Sequence, residues 1–157
     1  MHAQASGVAD WAADRPSGRA LKALQRALQK TTEVLASELG NPTATAPAWS
    51  EAEWAVARAV AAIHGVSPLL ADSLRWQGPL AWARFLAEQK AHTAQRFQRI
   101  EQLLQGMDRR AYEAGIALVP LKGAALHAMG IYTAGERPMA DVDLLVREEQ
   151  SDRKSVV

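Results

Sequence analysis

From Ser17 onward, apolar residues fall at Leu21, Leu24, Leu28 and Leu35 with Thr31 between, the three-and-four spacing that lines one face of an α-helix. Gly40-Asn41-Pro42 ends that stripe, and the small, proline-flanked stretch from Pro42 to Pro47 reads as a linker or exposed loop. A second helix is predicted from Ser50. Ser50 and Glu53 have the spacing of a capping box, and Trp49 and Trp54 stand where a hydrophobic staple would place them. Trp54, Ala57, Val60, Ala61 and His64 then follow one face, and Gly65 offers the stop. Ser67-Pro68 reads as the N-cap and first turn of a short helix to about Trp76. After Gly78-Pro79 a long helical pattern runs toward Ala114, apolar at Trp82, Phe85 and Leu86 and again at Phe97, Ile100, Leu103, Leu104 and Met107. Its polar middle, Glu88 to Arg96, and Gly106 leave room for a break or a solvent-crossing stretch.

Beyond Gly115 the period changes. Ile116 to Leu121 is a short apolar run that reads as a buried strand, with Pro120 at a strand end or edge because it has no N–H to donate. Ala124 to Met129 reads as a helix, and Gly135 to Ala140 as a loop. Residues 141 to 146 are predicted as a second strand, which would put Asp141, Asp143 and Leu145 on one face and Val142, Leu144 and Val146 on the other. The fold class expected is α+β: a helical region over residues 17 to 114, then the start of an α/β domain with a mixed sheet over 115 to 150.

Two carboxylates on one face repel, and a cation between them relieves the cost. Mg²⁺ suits such a place, since it prefers oxygen ligands and is commonly held by one or two carboxylates plus substrate phosphates. A solvated strand start accounts for Asp141 and Asp143 equally simply. In two other groups with an Asp-x-Asp pair, nucleotide-sugar glycosyltransferases and haloacid-dehalogenase-like phosphatases, the pair ends an apolar strand, whereas here the apolar residues follow it. A strand-to-helix turn at Gly123 would leave helix N-terminal N–H groups free for a phosphate, with Lys122 as a nearby point charge. The plainer alternative is a tight turn with a solvated lysine. Arg137, held out of the helical region by Pro138 and four residues before Asp141, could bind a phosphate bidentately or pair with an aspartate.

Taken together, Leu121-Lys122-Gly123-Ala124-Ala125-Leu126, Tyr132, and Arg137-Pro138-Met139 followed by Asp141, Asp143, Leu144, Leu145 and Val146 resemble the signature of the uncharacterised bacterial nucleotidyltransferases, within the DNA polymerase beta-type superfamily. His64-Gly65-Val66 and Pro68-Leu69-Leu70 resemble that family's helical N-terminal part, so the likeness spans about residues 50 to 150. The resemblance implies transfer of a nucleoside monophosphate from an NTP to an acceptor that the sequence leaves unknown, at a two-metal Mg²⁺ site. It matches Gly123 and Ala124 to the phosphate turn, and Asp141 and Asp143 to the first two of three metal-binding acids. Ala124 departs from the superfamily's usual serine, and no third acid follows. The last residues, Asp152 to Val157 and part of Ser151, match the in-frame translation of a common sequencing adapter. Residues 151 to 157 are therefore expected to be a non-native tail, and the chain an inactive fragment of a longer enzyme.

Composition adds bounds. The 157 residues carry a net charge of +1, so no broad field invites nucleic acid, and 48% apolar residues suffice for a core. There are no cysteines, which excludes disulfides and is compatible with a cytoplasmic protein. Nothing in the pattern suggests a membrane span, and residues 1 to 16 read as a flexible tail. The tryptophans Trp11, Trp49, Trp54, Trp76 and Trp82 are expected in a core rather than as base-stacking platforms. His64, His92 and His127 lack metal-ligand spacing, and Arg96, Arg99, Arg109 and Arg110, interleaved with Glu101 and Asp108, read as a solvated face. A non-catalytic helical module that docks a partner is the alternative to an enzyme.

Overall fold

The computed structural model describes residues 17–147, so both the expected N-terminal tail and the expected non-native stretch 151 to 157 lie outside the described residues. The architecture is α+β. Five helices, α1 (Gly18–Gly40), α2 (Glu51–Ile63), α3 (Ser67–Ser73), α4 (Leu80–Glu113) and α5 (Lys122–Ala128), accompany a two-stranded antiparallel sheet of β1 (Val119–Pro120) and β2 (Leu144–Leu145). Val119 lies opposite Leu145 and Pro120 opposite Leu144.

The local signals act where the sequence places them. The Ser50 hydroxyl accepts from the Glu53 N–H, and the Glu53 carboxylate accepts from the Ser50 N–H at 2.9 Å, so two otherwise orphaned donors at the start of α2 are satisfied reciprocally. Trp49 and Trp54 meet edge-on, 4.8 Å between ring centres. At the other end Gly65 takes φ +65°, and the Val66 N–H reaches back to the Ala61 carbonyl while the Gly65 N–H reaches Ala62. This is a Schellman closure, in which a left-handed residue is needed and glycine supplies it without a Cβ clash.

The core lies among α1, α2, α3 and the first turns of α4. Leu35, Ala57, Val60, Ala61 and Leu70 pack with Trp76, Trp82 and Leu86, and Trp54 reaches both buried indoles, at 6.0 and 5.5 Å. Trp76 and Trp82 stack at 6.4 Å, so the tryptophans described here behave as packing residues; Trp11 lies outside the described residues. α1 lies on α2, and α3 on both α1 and α4. Glu38, buried in α1, accepts from the Thr43 hydroxyl at 2.7 Å and the Thr43 N–H at 3.0 Å, fastening the connector that follows. Burial works to raise its pKa, and the two bonds from Thr43, with a smaller contribution from the nearby Trp76 indole, more than offset this, leaving the carboxyl below its ordinary value.

α4 follows the long helical pattern expected toward Ala114 and stays unbroken through its polar middle and Gly106, because solvent on that face and the 132–140 segment against it tolerate polar residues. Three expectations change. α3 ends at Ser73 rather than Trp76, and its N-cap is Val66, so Ser67 sits inside the helix with a buried hydroxyl that caps nothing. The strand at 116 to 121 shrinks to Val119–Pro120, with Val119 half-exposed, because its one described partner, β2, is itself only two residues long. Likewise the strand expected over 141 to 146 is regular only at Leu144–Leu145. No single described helix is long and apolar enough to cross a membrane.

Candidate functional site

The expected site residues come from two segments that the short ladder brings side by side. The Leu121 N–H donates to the Asp143 carbonyl at 2.9 Å, continuing the β1–β2 pairing by one more bond. Leu121 is also the N-cap of α5, so the chain leaves the ladder and enters the helix at Lys122. The turn thus falls one residue earlier than expected, and both Lys122 and Gly123 belong to the helix's first turn. Lys122 has φ +48°, a left-handed conformation that a residue with a Cβ adopts only where its surroundings enforce it.

That conformation goes with an ion pair. The Lys122 ammonium lies 3.0 Å from the Asp143 carboxylate. The hydrogen bond to Asp143 and its charge, with a smaller contribution from Asp141, raise the Lys122 pKa above its ordinary value. Asp143, half-buried, is the carboxylate in contact with the ammonium, and Asp141, exposed, acts on it through its charge alone. Among the described residues no three His, Cys, Asp or Glu side chains gather as a metal-holding group.

Gly123 and the loop before the aspartates are held face to face. A Cβ on Gly123 would stand 3.2 Å from Cγ and 3.3 Å from Sδ of Met139, which is itself buried. Ala124, next to Gly123, is buried as well, so its missing hydroxyl lies against protein rather than in open solvent. The loop has its own fastening: the Thr133 N–H donates to the Glu136 carboxylate at 2.6 Å and the Glu136 N–H to the Thr133 carbonyl. From α4, the Arg96 guanidinium donates to the Ala140 carbonyl at 3.0 Å, one residue before Asp141. Arg96 is thus a strut between the long helix and the aspartates, where the sequence pattern suggested only a solvated face. Its partner is 44 residues away, a separation that no local pattern reports.

Arg137 forms no ion pair with Asp141 or Asp143. Its guanidinium lies over the Tyr132 ring, 5.4 Å from the centre, a cation–π contact. This contact closes a column of rings: Phe97 of α4 meets His127 of α5 at 4.5 Å, and His127 meets Tyr132 at 5.8 Å. The His127 Nδ1 lies 3.2 Å from the Tyr132 carbonyl, and its buried Nε2 has no partner. An open, mostly apolar cavity of about 210 Å³ is lined by Leu104, Met107, Leu118, Ala124 and Leu144 with Asp108 at its edge, and neither Asp141 nor Asp143 lines it.

Residues 50–155 match a family model described as uncharacterised nucleotidyltransferase. The chain belongs to this family. Comparison with curated proteins and with solved structures gives no match. The matched span takes in the capped helix α2, the core tryptophans from Trp54 onward and every residue of the 121–143 arrangement. Family membership assigns the chain to nucleotidyl transfer as a class of chemistry.

Proposed function

We propose that the chain carries the site at which a nucleotidyltransferase binds an NTP as its Mg²⁺ complex, at the junction of α5 and the 137–143 segment, the nucleoside monophosphate passing from there to an acceptor; Asp141 and Asp143 supply the first two of its acids. The observation that carries this reading is the Lys122–Asp143 ion pair beside the start of α5, with Asp141 two residues along the same segment, within a chain of the nucleotidyltransferase family. The donor set suits the metal: two carboxylates two residues apart are hard oxygen ligands, one of them already pairs with a cation, and their exposure leaves room for waters and phosphate oxygens. Bound there, Mg²⁺ supplies charge neutralisation on the phosphates and orientation of the reacting groups.

The protein's own parts then have distinct tasks. Asp141 and Asp143 hold the metal complex. Gly123 lets Met139 close against the start of α5, whose N–H groups, unpaired by the helix, would receive the phosphates. Lys122, now paired with Asp143, would be free to offer its ammonium to a phosphate oxygen as a mobile point charge if that carboxylate held a metal instead. Arg137, lying on Tyr132, keeps guanidinium donors for a phosphate at the rim. Arg96 and the Gly123–Met139 contact hold the two segments in register.

Equilibrium dialysis of the chain against each of four labelled nucleoside triphosphates, with and without Mg²⁺, tests this. Retention of at least one nucleotide that needs the metal and is lost in Asp143→Asn supports the reading. Retention that ignores both the metal and the substitution contradicts it.

A further inference from the structure

A cleft of about 200 Å³ opens between the helical part and the loop that carries the aspartates. Its floor is the α2–α3 turn, including Ser67. One wall is α4, contributing Gln89, His92, Thr93 and Arg96, and the other is Pro138 to Ala140. The cleft ends one residue short of Asp141, beside the proposed nucleotide site rather than within it. Nothing in the phosphate-binding and metal-binding roles above uses Ser67, Gln89, His92 or Thr93.

Two features give the cleft a chemical character. Ser67 is 1% exposed and its hydroxyl has no hydrogen-bond partner, while Thr93, 7% exposed, sets a second buried hydroxyl residue in the α4 wall. A buried hydroxyl without a partner is costly and rare enough in a folded protein to call for an explanation. Charge is the second. The polar lining comprises hydroxyls, an amide, an imidazole and a guanidinium, and no carboxylate lines the cleft. Arg96 spends one guanidinium nitrogen on Ala140 and has further donors. Such a lining accepts a hydroxyl-bearing anion and has nothing to neutralise a cation. The volume is that of about seven waters at ~30 Å³ each, below the range of drug-sized sites.

We infer that this cleft binds the acceptor of nucleotidyl transfer, and that the acceptor is a small polyol bearing one anionic group. The inference rests on the proposed nucleotide site and adds the second substrate to it. Hydroxyl groups of the ligand meet Ser67, Thr93 and Gln89, and its anionic group meets Arg96 and His92. In the transfer, an acceptor hydroxyl oxygen bonds to the α-phosphorus of the NTP. The bond from that phosphorus to the α–β bridging oxygen breaks, pyrophosphate leaves with the electron pair, and the hydroxyl proton passes to water. Arg96 then serves twice, bracing the loop before Asp141 and contacting the acceptor.

Saturation-transfer NMR on the whole chain provides the test, with glycerol 3-phosphate, glycerate, glycerol and inorganic phosphate as separate probes. Glycerol 3-phosphate or glycerate is expected to bind, and whichever does identifies the anion; glycerol and phosphate alone should bind at least tenfold more weakly. Thr93→Val combined with Ser67→Ala should weaken the bound probe about tenfold or more while leaving Mg²⁺-dependent NTP retention unchanged. Asp143→Asn should do the reverse, which separates failure of the cleft from failure of the nucleotide site. Removing hydroxyls that serve structure alone would leave probe affinity untouched. That result, or no binding of either anionic polyol to the parent chain, overturns the inference. Thermal melting of the double variant, expected to match the parent because Ser67 has no partner to lose, confirms that a weakened probe reports binding and not unfolding.

Discussion

Adding one methyl group at Gly78 tests the packing that gives the cleft its floor and α4 its position. A Cβ built there stands 2.8 Å from Cη2 of Trp54, 2.8 Å from Cδ1 of Trp82 and 3.1 Å from Cζ3 of Trp54. A carbon pair with a well of ~0.15 kcal/mol at ~3.8 Å is repulsive by about 4 kcal/mol when pressed to 2.8 Å. The two closest contacts alone therefore amount to roughly 8 kcal/mol before anything moves. Neither indole yields easily. Trp82 is 2% exposed and stacked on Trp76, and Trp54 is pinned between Trp49, Trp76 and Trp82. Relaxation of overpacked cores ordinarily leaves about 1–3 kcal/mol of destabilisation, and the rigidity here favours the upper part of that range. With a urea slope of about 1–3 kcal/mol per M, Gly78→Ala should lower the midpoint by about 1 M. Gly18→Ala is the control, because a Cβ at that exposed helical position meets nothing within 4 Å. It should hold or slightly raise the midpoint. If both variants unfold together with the parent, the tryptophan cluster does not pack as described.

Other perturbations report on single contacts. Ser50→Ala removes the hydroxyl half of the capping box and should cost about 1 kcal/mol in urea denaturation. Bonds from the Ser50 N–H, from Lys30 and from the Ser50 hydroxyl hold the Glu53 carboxyl below its ordinary value, so its stabilisation is present above the unfolded pKa and lost as pH falls through the lowered folded value. Ser50→Ala also removes the bond from the Ser50 hydroxyl to the Glu53 carboxylate, so the difference between variant and parent should narrow in acid, and a constant difference from neutrality to well below pH 4 would exclude that bond. Lys122→Met frees Asp143 of its ammonium partner and should strengthen Mg²⁺ binding measured calorimetrically without nucleotide, while weakening NTP retention. If both affinities move in the same direction, Lys122 does not exchange between carboxylate and phosphate.

How far the sequence revealed the molecule depended on the range of the contacts involved. The start and stop of α2 were legible because Ser50, Glu53, Trp49, Trp54 and Gly65 act within one or two turns of each other. The stripe ending at Leu35 likewise identified a residue that proved buried. Ser67 misled, because a serine before a proline carries the same local signal whether or not it caps. The juxtaposition of Lys122 with Asp143 was suggested only by the combined motif, and the ion pair itself spans two segments whose meeting depends on the ladder. Arg96 on Ala140, the ring column from Phe97 to Arg137, and the cleft around Ser67 and Thr93 join α4 to residues far along the chain. Each residue of these sets has an ordinary local role, and only the packing of the loop onto α4 gives it another.

The central claim is that Asp141 and Asp143 hold the metal that accompanies the nucleotide. Mn²⁺, which shares the preference of Mg²⁺ for carboxylate and water oxygens, permits a direct reading, because its unpaired electrons broaden the amide resonances near it. Substoichiometric Mn²⁺ added to the ¹⁵N-labelled chain with whichever triphosphate dialysis retains should broaden residues 141–143 and 121–124 together. Broadening should be far weaker without the nucleotide, since two carboxylates leave most of the coordination sphere to water. The same titration of the Asp141→Asn, Asp143→Asn variant should leave those resonances sharp. Broadening centred elsewhere, or unchanged in the variant, would contradict the account.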